Sequence, residues 1–234
     1  VYIGSNDEIF ANRDSRYLFS YIGYASTCTA TKTIENLNLL NVKSVTNMGY
    51  MFNYTGYTAM SSLILPDTFD TSNVTNMIYM FNYCGNKAME TFKLGNNFDT
   101  SKVTNMSRMF CNLGTSKMIS LNLDSKFNTS NVTSMTSMFE QLCVKSLKLG
   151  EGFDTSKVGD MRNMFRFMKK LQTLDLGPAF QNIGTYNSAM LQITSSSSSS
   201  VQVYVSESIY NDSTSLKLNS SSTIPARLYA ILSS

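Results

Sequence analysis

The sequence contains no histidine and no tryptophan among its 234 residues. Without histidine, the chain lacks the side chain that most often acts as a general base near neutral pH and that most often binds metals. A Ser-His-Asp or Cys-His mechanism is therefore excluded within this chain. Without tryptophan, it lacks a residue that often dominates binding interfaces. We expect a protein that is not an enzyme and that uses no cofactor.

Charge is also scarce. Charged residues make up 15% of the chain, and 19 basic against 16 acidic residues leave a net charge of +3. Nucleic-acid binding needs a dense basic surface, so we expect no nucleic-acid partner. No apolar run approaches the roughly 20 residues of a membrane helix, so we expect no membrane insertion within this chain. The chain begins at Val1 without a signal peptide, and we expect a mature product or an excised fragment.

Only four cysteines are present, and no two of them form a Cys-x-x-Cys pair. They do not share one position of the repeat described below, whereas a disulfide framework is usually denser and more regular. We therefore expect small buried thiols, which leaves the cellular compartment open. The four are Cys28, Cys84, Cys111 and Cys143.

The chain is rich in one recurring phrase, Val-x-x-Met-x-x-Met-Phe. Successive copies start 29 residues apart, except the last, which starts 26 residues after its predecessor. A fixed period of this size predicts a stacked repeat array in which each unit buries its apolar side chains against its neighbours. The copies begin at Val45, Val74, Val103, Val132 and Val158.

Each repeat contains three local patterns. An apolar-x-x-apolar-x-apolar pattern, first at Ile34/Leu37/Leu39 and next at Met60/Leu63/Leu65, predicts a short strand with one buried face. Asp-Thr-Ser, as at 99–101, predicts the N-cap of a helix. The stripe formed by Val103, Met106, Phe110 and Leu113 predicts that this helix is amphipathic. Between strand and cap stands an aromatic residue predicted to fill the core: Phe69, Phe98, Phe127, Phe153 and Phe180.

These patterns predict an α/β leucine-rich-repeat solenoid of about six strand–turn–helix repeats, each 26–29 residues long. Parallel strands lie about 4.8 Å apart and packed helices roughly 8–10 Å apart, so the strands are expected on the concave face. A right-handed solenoid is expected from the handedness of parallel crossovers. We predict an N-terminal cap at 1–33, the solenoid at 34–193, a Ser-rich loop or linker at 194–200 and a C-terminal cap at 201–234.

The motif Phe-Asp-Thr-Ser-x-Val-Thr-Asn-Met-x-x-Met-Phe resembles that of the BspA-like leucine-rich-repeat surface proteins. The same repeat occurs in a family first described as a mycoplasma domain of unknown function. The resemblance covers about residues 34–180, and the tail from Val201 to Ile231 is similar to the segment that often follows the last repeat. It implies a secreted or surface-attached bacterial protein that adheres to host cells, matrix proteins or other bacteria, and it brings no catalytic residues.

The outward-pointing strand residues are the candidate binding face. Two lysines among small polar side chains favour an acidic or sugar ligand, and a merely solvated sheet is the equally weighted alternative. The candidates are Asn38, Ile64, Lys93, Asn122, Lys148 and Asp175.

Two metal sites are conceivable from composition. The methionine pairs contain soft sulfur that binds Cu(I), but flexible core packing is the favoured explanation. Asp70, Asp99 and Asp154 form a carboxylate ladder that would suit Ca²⁺, although turn and helix amides can stabilise it without a cation. We predict no metal site.

The leading functional hypothesis is therefore an extracellular, cell-surface adhesion module. Its partner would be a host-cell or matrix protein, a glycan, or another bacterial surface. A rigid spacer within a surface protein and a phage tail or receptor-binding component are the alternatives.

Overall fold

The chain is a parallel β-solenoid of about six turns, here called coils. A computed structural model describes residues 7–114, 117–123, 127–181, 185–193 and 201–206, and the backbone of 227–231. Within these residues the strands are β1 Ile9–Phe10, β2 Leu40–Asn41, β3 Ser62–Ile64, β4 Thr91–Lys93, β5 Ser120–Asn122, β6 Ser146–Lys148, β7 Thr173–Asp175, β8 Gln202–Ser206 and β9 Arg227–Ile231.

Neighbouring strands pair in parallel, one coil after the next. They form three sheets, β1-β2, β3-β4 and β5 to β9 in sequence order. The apolar residues of the repeat share one register, so that Leu121 pairs with Leu147 and Leu147 with Leu174. The predicted strands are thus confirmed for β3 to β7, and Val203 and Val205 lie in β8.

The first predicted strand is wrong. Leu37–Leu39 forms a single 3-10 turn, which follows Asn36 at φ 59°. Leu40 rather than Leu39 is buried, and the strand that pairs with β1 starts there. Asn38 therefore lies in the turn and not on the sheet, although its side chain is exposed as expected.

The predicted helices are also wrong, and no α-helix occurs in the described residues. The Val-x-x-Met-x-x-Met-Phe segments form a series of overlapping β-turns, here called the turn spiral. The Met51 N–H donates to the Met48 carbonyl at 3.1 Å, three residues back, where a helix would use four. Tyr50, the third residue of that turn, has φ 60°, as type II turns require.

Every second amide of the turn spiral donates to the next coil instead. The Tyr50 N–H bonds the Ile78 carbonyl at 2.9 Å, and the Phe52 N–H bonds the Met80 carbonyl at 2.8 Å. The same ladder joins coil to coil as far as Phe167, which donates to Gln192 at 3.0 Å. Both sides of the solenoid therefore stack at hydrogen-bond spacing. The wider helix spacing that was expected to make the strand face concave does not exist.

The turn spiral explains why the sequence imitates a helix. Met48, Met51, Phe52 and Thr55 are fully buried, a spacing of three, one and three that an amphipathic helix also shows. Successive coils stack these phenylalanines face to face, with ring centroids 5.2–5.7 Å apart from Phe19 to Phe165. The repeat methionines are buried in the same core, which confirms the packing explanation. The predicted core aromatics Phe69, Phe98, Phe127, Phe153 and Phe180 are buried as well.

The Asp-Thr-Ser motif does not cap helices. Asp99 Oδ1 accepts the Ser101 N–H at 2.8 Å, two residues later, which is an Asx-type turn. The buried Thr100 hydroxyl donates to the Asn128 carbonyl of the next coil at 2.7 Å. Asp70, Asn128 and Asp154 make the same local bond, and Thr71 and Thr129 the same inter-coil bond. The motif therefore turns the chain and joins neighbouring coils.

The solenoid continues into both predicted caps. Tyr17, within the predicted N-terminal cap, has φ 62° and begins a turn spiral of its own. At the other end, β8 and β9 extend the five-stranded sheet. The predicted Ser-rich loop at 194–200 lies outside the described residues. Across the described ranges, no helix is long and apolar enough to cross a membrane.

Candidate functional site

The outward residues of the turn spiral form two columns that run along the solenoid. Each has a positive φ between 54° and 62°, and the side chains are half-buried or exposed except those of Ser137 and Asn112, which are buried. Residues of one column lie in successive coils, so their side chains are neighbours although about 30 residues separate them in sequence. The first column is Tyr17, Tyr50, Tyr79, Arg108, Ser137, Asn163 and Ala189; the second is Tyr21, Tyr54, Tyr83, Asn112, Gln141 and Phe167.

Tyrosines occupy both columns in the first three coils. The rings of Tyr17, Tyr50 and Tyr79 stack with centroids 4.8 and 4.7 Å apart. In the second column, the Tyr54 ring stacks on Tyr21 at 5.2 Å and on Tyr83 at 4.5 Å. These near-parallel stacks hold each ring between its neighbours and leave its edge toward solvent.

Two further tyrosines complete what is here called the tyrosine face. Tyr24 meets Tyr21 and Tyr54 edge-on, at 5.4 and 5.2 Å. Tyr57 packs beside Tyr54 and Tyr83 at 5.9 and 6.2 Å. Tyr17 and Tyr21, at the N-terminal end, are 52% and 53% exposed. The face consists of Tyr17, Tyr21, Tyr24, Tyr50, Tyr54, Tyr57, Tyr79 and Tyr83.

Cations border the tyrosine face. The Arg108 guanidinium lies over the Tyr79 ring at 5.5 Å, and the Lys87 ammonium lies over Tyr57 at 5.6 Å. Both are cation–π contacts. Burial, with the neighbouring Tyr83 and Tyr21 phenols, raises the pKa of Tyr54 to about 12. The face is therefore uncharged at neutral pH and presents hydroxyl groups and ring edges.

The strand face carries the site residues proposed from the sequence. Ile64, Lys93, Asn122 and Lys148 are exposed and Asp175 is half-buried, so all five point outward as expected. Lys148 pairs in register with Asp175, which offsets its charge, and Lys93 pairs with Ile64. The two lysines do not pair in register with each other, because Lys93 lies in β4 and Lys148 in β6, with β5 in the coil between them.

A cleft of about 280 Å³ separates β4 from β5 and brings Lys93 and Asn122 to its two sides. Phe92 occupies the strand position held elsewhere by leucines such as Leu63 and Leu147. Its ring packs edge-on against Phe81 at 5.0 Å and remains partly exposed. We attribute the break in strand pairing to this larger side chain.

The cysteines differ in their surroundings. All four are free, with Cys84 and Cys111 buried and Cys28 and Cys143 half-buried, so burial is confirmed for two of them. Burial raises the pKa of the Cys84 thiol and raises the pKa of Cys111 to about 11. A hydrogen bond with Thr31 lowers the pKa of Cys28. Among the described residues, no three His, Cys, Asp or Glu side chains converge as metal ligands.

The tyrosine face was not predicted, although the sequence contains a signal for it. Tyrosines occur four residues apart at 17/21, at 50/54 and again at 79/83. The predicted helix gave no reason to expect stacking between repeats, because a helix places such pairs on its own surface and far from the next repeat. Once the turn spiral brings neighbouring coils to hydrogen-bond distance, the same pairs become two continuous stacks.

Comparison with known proteins identifies the repeat. The family described as "Mycoplasma protein of unknown function, DUF285" matches residues 23–146 and 85–204, which together cover most of the chain. The chain belongs to the DUF285 family. No curated protein and no solved structure matches it.

The match to DUF285 accounts for the repeat, but the family description assigns no biochemical role. The matched segments include six of the eight residues of the tyrosine face; Tyr17 and Tyr21 precede residue 23. The solenoid of this DUF285 chain is built from parallel strands and turn spirals, and its surfaces must be judged by their own chemistry.

Proposed function

We propose that this chain is a non-catalytic, extracellular binding module in bacterial surface adhesion, and that its tyrosine face contacts a protein. The partner would be a protein on a host cell, in its matrix or on another bacterium. The likeness to BspA-like surface proteins supports the extracellular role. The tyrosine face is the observation that carries the proposal.

Tyrosine suits this purpose for physical reasons. Its ring offers a large contact area with little side-chain entropy to lose, and its hydroxyl can donate and accept hydrogen bonds. Aromatic residues are enriched at protein interfaces, and charged residues are depleted at the centres of those interfaces. Here stacking fixes the rings before any partner arrives, as between Tyr54 and Tyr83. A preorganised surface loses less entropy on binding than a mobile one.

The strand face offers weaker support for the same function. Its polar side chains are small, and Lys148 is matched by Asp175 in the adjacent strand. The inter-coil hydrogen bonds on both sides of the solenoid also suit a rigid spacer. A binding experiment therefore has to separate the two faces from each other and from a spacer role.

The test is binding of the purified, labelled chain to host epithelial cells, to fibronectin-coated surfaces and to several bacteria. The first variant, Tyr17→Asn with Tyr50→Asn, interrupts one stack; asparagine occupies the same column at Asn163 with φ 58°, so the backbone tolerates it. The second, Lys93→Glu with Lys148→Glu, alters the strand face.

We expect saturable binding that weakens about tenfold or more in the tyrosine variant, since interface aromatics often dominate affinity. The lysine variant should bind as the unmodified chain does. Loss in the lysine variant alone would move the site to the strand face. Absence of binding to every surface, from a folded sample, would contradict adhesion and favour the spacer, and binding to bacteria alone would favour a phage receptor-binding role.

A further inference from the structure

The second column contains a pocket where its tyrosine stack ends. Tyr83 is the last tyrosine of the column, and Asn112, Gln141 and Phe167 follow in the next three coils. With coils stacked about 4.8 Å apart, the two aromatic residues stand about 14 Å from each other along the column. The shorter amide side chains between them leave a pocket of about 370 Å³.

The pocket has the size and composition of a small-molecule site. Sites of this kind typically enclose about 300–1,000 Å³ and combine aromatic walls with a few polar groups. Tyr83 and Phe167 supply the walls, and Asn112 and Gln141 lie between them. The other described residues of the lining are Asn86, Cys143 and Lys169.

The amides in the pocket have hydrogen-bonding capacity to spare. Asn112 is only 5% exposed, and its Nδ2 donates to the Cys111 sulfur at 3.2 Å, a weak acceptor. Within the described part of the chain, Asn112 Oδ1 accepts no hydrogen bond and the Gln141 side-chain amide makes none. The Asn86 Nδ2 donates to the Asn112 carbonyl at 2.8 Å, which fixes the pocket floor.

These groups define the chemistry of the ligand. A carboxamide both donates and accepts hydrogen bonds, as neighbouring sugar hydroxyls do. An aromatic ring packs its apolar face against the C–H groups of a sugar ring. Among the described lining residues Lys169 alone is charged, which is too little for a polyphosphate, and the amides between the rings are unsuited to a purely apolar ligand.

We infer that this pocket binds a saccharide, between Tyr83 and Phe167, through the side-chain amides of Asn112 and Gln141. The inference rests on the proposed binding role and adds a glycan ligand at a position separate from the protein-contacting tyrosines. Its ligand is the terminal portion of a short oligosaccharide, because the pocket is open at the surface and spans only three coil spacings.

The test begins with the purified chain on a printed array of defined mammalian and bacterial oligosaccharides. The oligosaccharide that binds best is then titrated calorimetrically against two variants, Gln141→Ala and Phe167→Ala. The matched control is Asn163→Ala, since Asn163 has the same φ of 58° as Gln141 but lies in the first column, outside the pocket. Far-UV circular dichroism establishes that every variant is folded.

We expect affinity to fall tenfold or more in Gln141→Ala and in Phe167→Ala and to stay unchanged in the control. Binding that survives both variants, or the absence of binding to any oligosaccharide on the array, would overturn the inference. The Tyr17→Asn, Tyr50→Asn variant leaves the pocket intact and should bind the saccharide normally. A failure of the cell-adhesion proposal is therefore distinguishable from a failure of the saccharide site.

Discussion

The variants Gln141→Gly and Gln141→Ala distinguish a turn spiral from a helix, because the two structures predict opposite signs for the difference between their unfolding free energies. Gln141 has φ 58°, a left-handed conformation that costs a residue with a Cβ about 1–2 kcal/mol. Glycine avoids this strain but loses about 0.5–1 kcal/mol more chain entropy on folding. The glycine variant should therefore be more stable than the alanine variant by about 1 kcal/mol. In a helix, alanine would be the more stable by about the same amount.

The comparison uses urea and thermal unfolding of the two variants, since both lack the glutamine side chain. A difference of 1 kcal/mol corresponds to about 2–4 °C in a chain of this size. Thr136, in the same turn spiral, lies outside the left-handed region, and its alanine variant should be the more stable one. A Gln141→Ala protein more stable than Gln141→Gly would refute the turn-spiral assignment.

Three further outcomes are expected. Burial raises the pKa of Tyr54 from 10.0 to about 12, so the folded protein should lose stability as the pH rises between these values, where the unfolded chain ionises first. Tyr54→Phe should reduce this loss in unfolding curves measured across that pH range. The same pH dependence in both proteins would contradict the prediction. A maleimide should label the half-buried Cys28, whose pKa its hydrogen bond lowers, well before the buried Cys84 in the folded protein, and equal rates would show the burial to be wrong. Thr100→Val removes the hydrogen bond from the buried Thr100 hydroxyl to the carbonyl of the half-buried Asn128 and should cost about 0.5–1.5 kcal/mol of unfolding free energy, while Thr104→Val, at an exposed position, should cost less.

Much of the solenoid could be predicted from the sequence because burial follows the repeat. The apolar triplets give β3 to β7, and aromatic residues such as Phe98 occupy the core as expected. Helix and turn spiral could not be separated by apolar spacing, since both bury positions i, i+3, i+4 and i+7. Thr-Ser-Met-Thr-Ser at 133–137 is a poor helix former and was the available contrary signal.

The candidate sites were less accessible to sequence analysis, because they depend on which coils touch. The outward direction of Lys93 and Lys148 follows from strand alternation alone. Predicting the stack of Tyr50 on Tyr79 would have required the turn spiral. Predicting the break between β4 and β5 at Phe92 would have required knowing that this strand position tolerates little extra side-chain volume. Neither is visible to a pattern that treats each repeat separately.

The most direct test of the turn-spiral solenoid is the scalar coupling across the hydrogen bond of the Tyr54 amide, measured by NMR. The structure predicts a coupling to the carbonyl of Asn82, one coil ahead, where the N–O distance is 2.8 Å. A coupling to the carbonyl of Tyr50, four residues back, would mean a helix and would contradict the stacked columns on which both proposed binding sites depend.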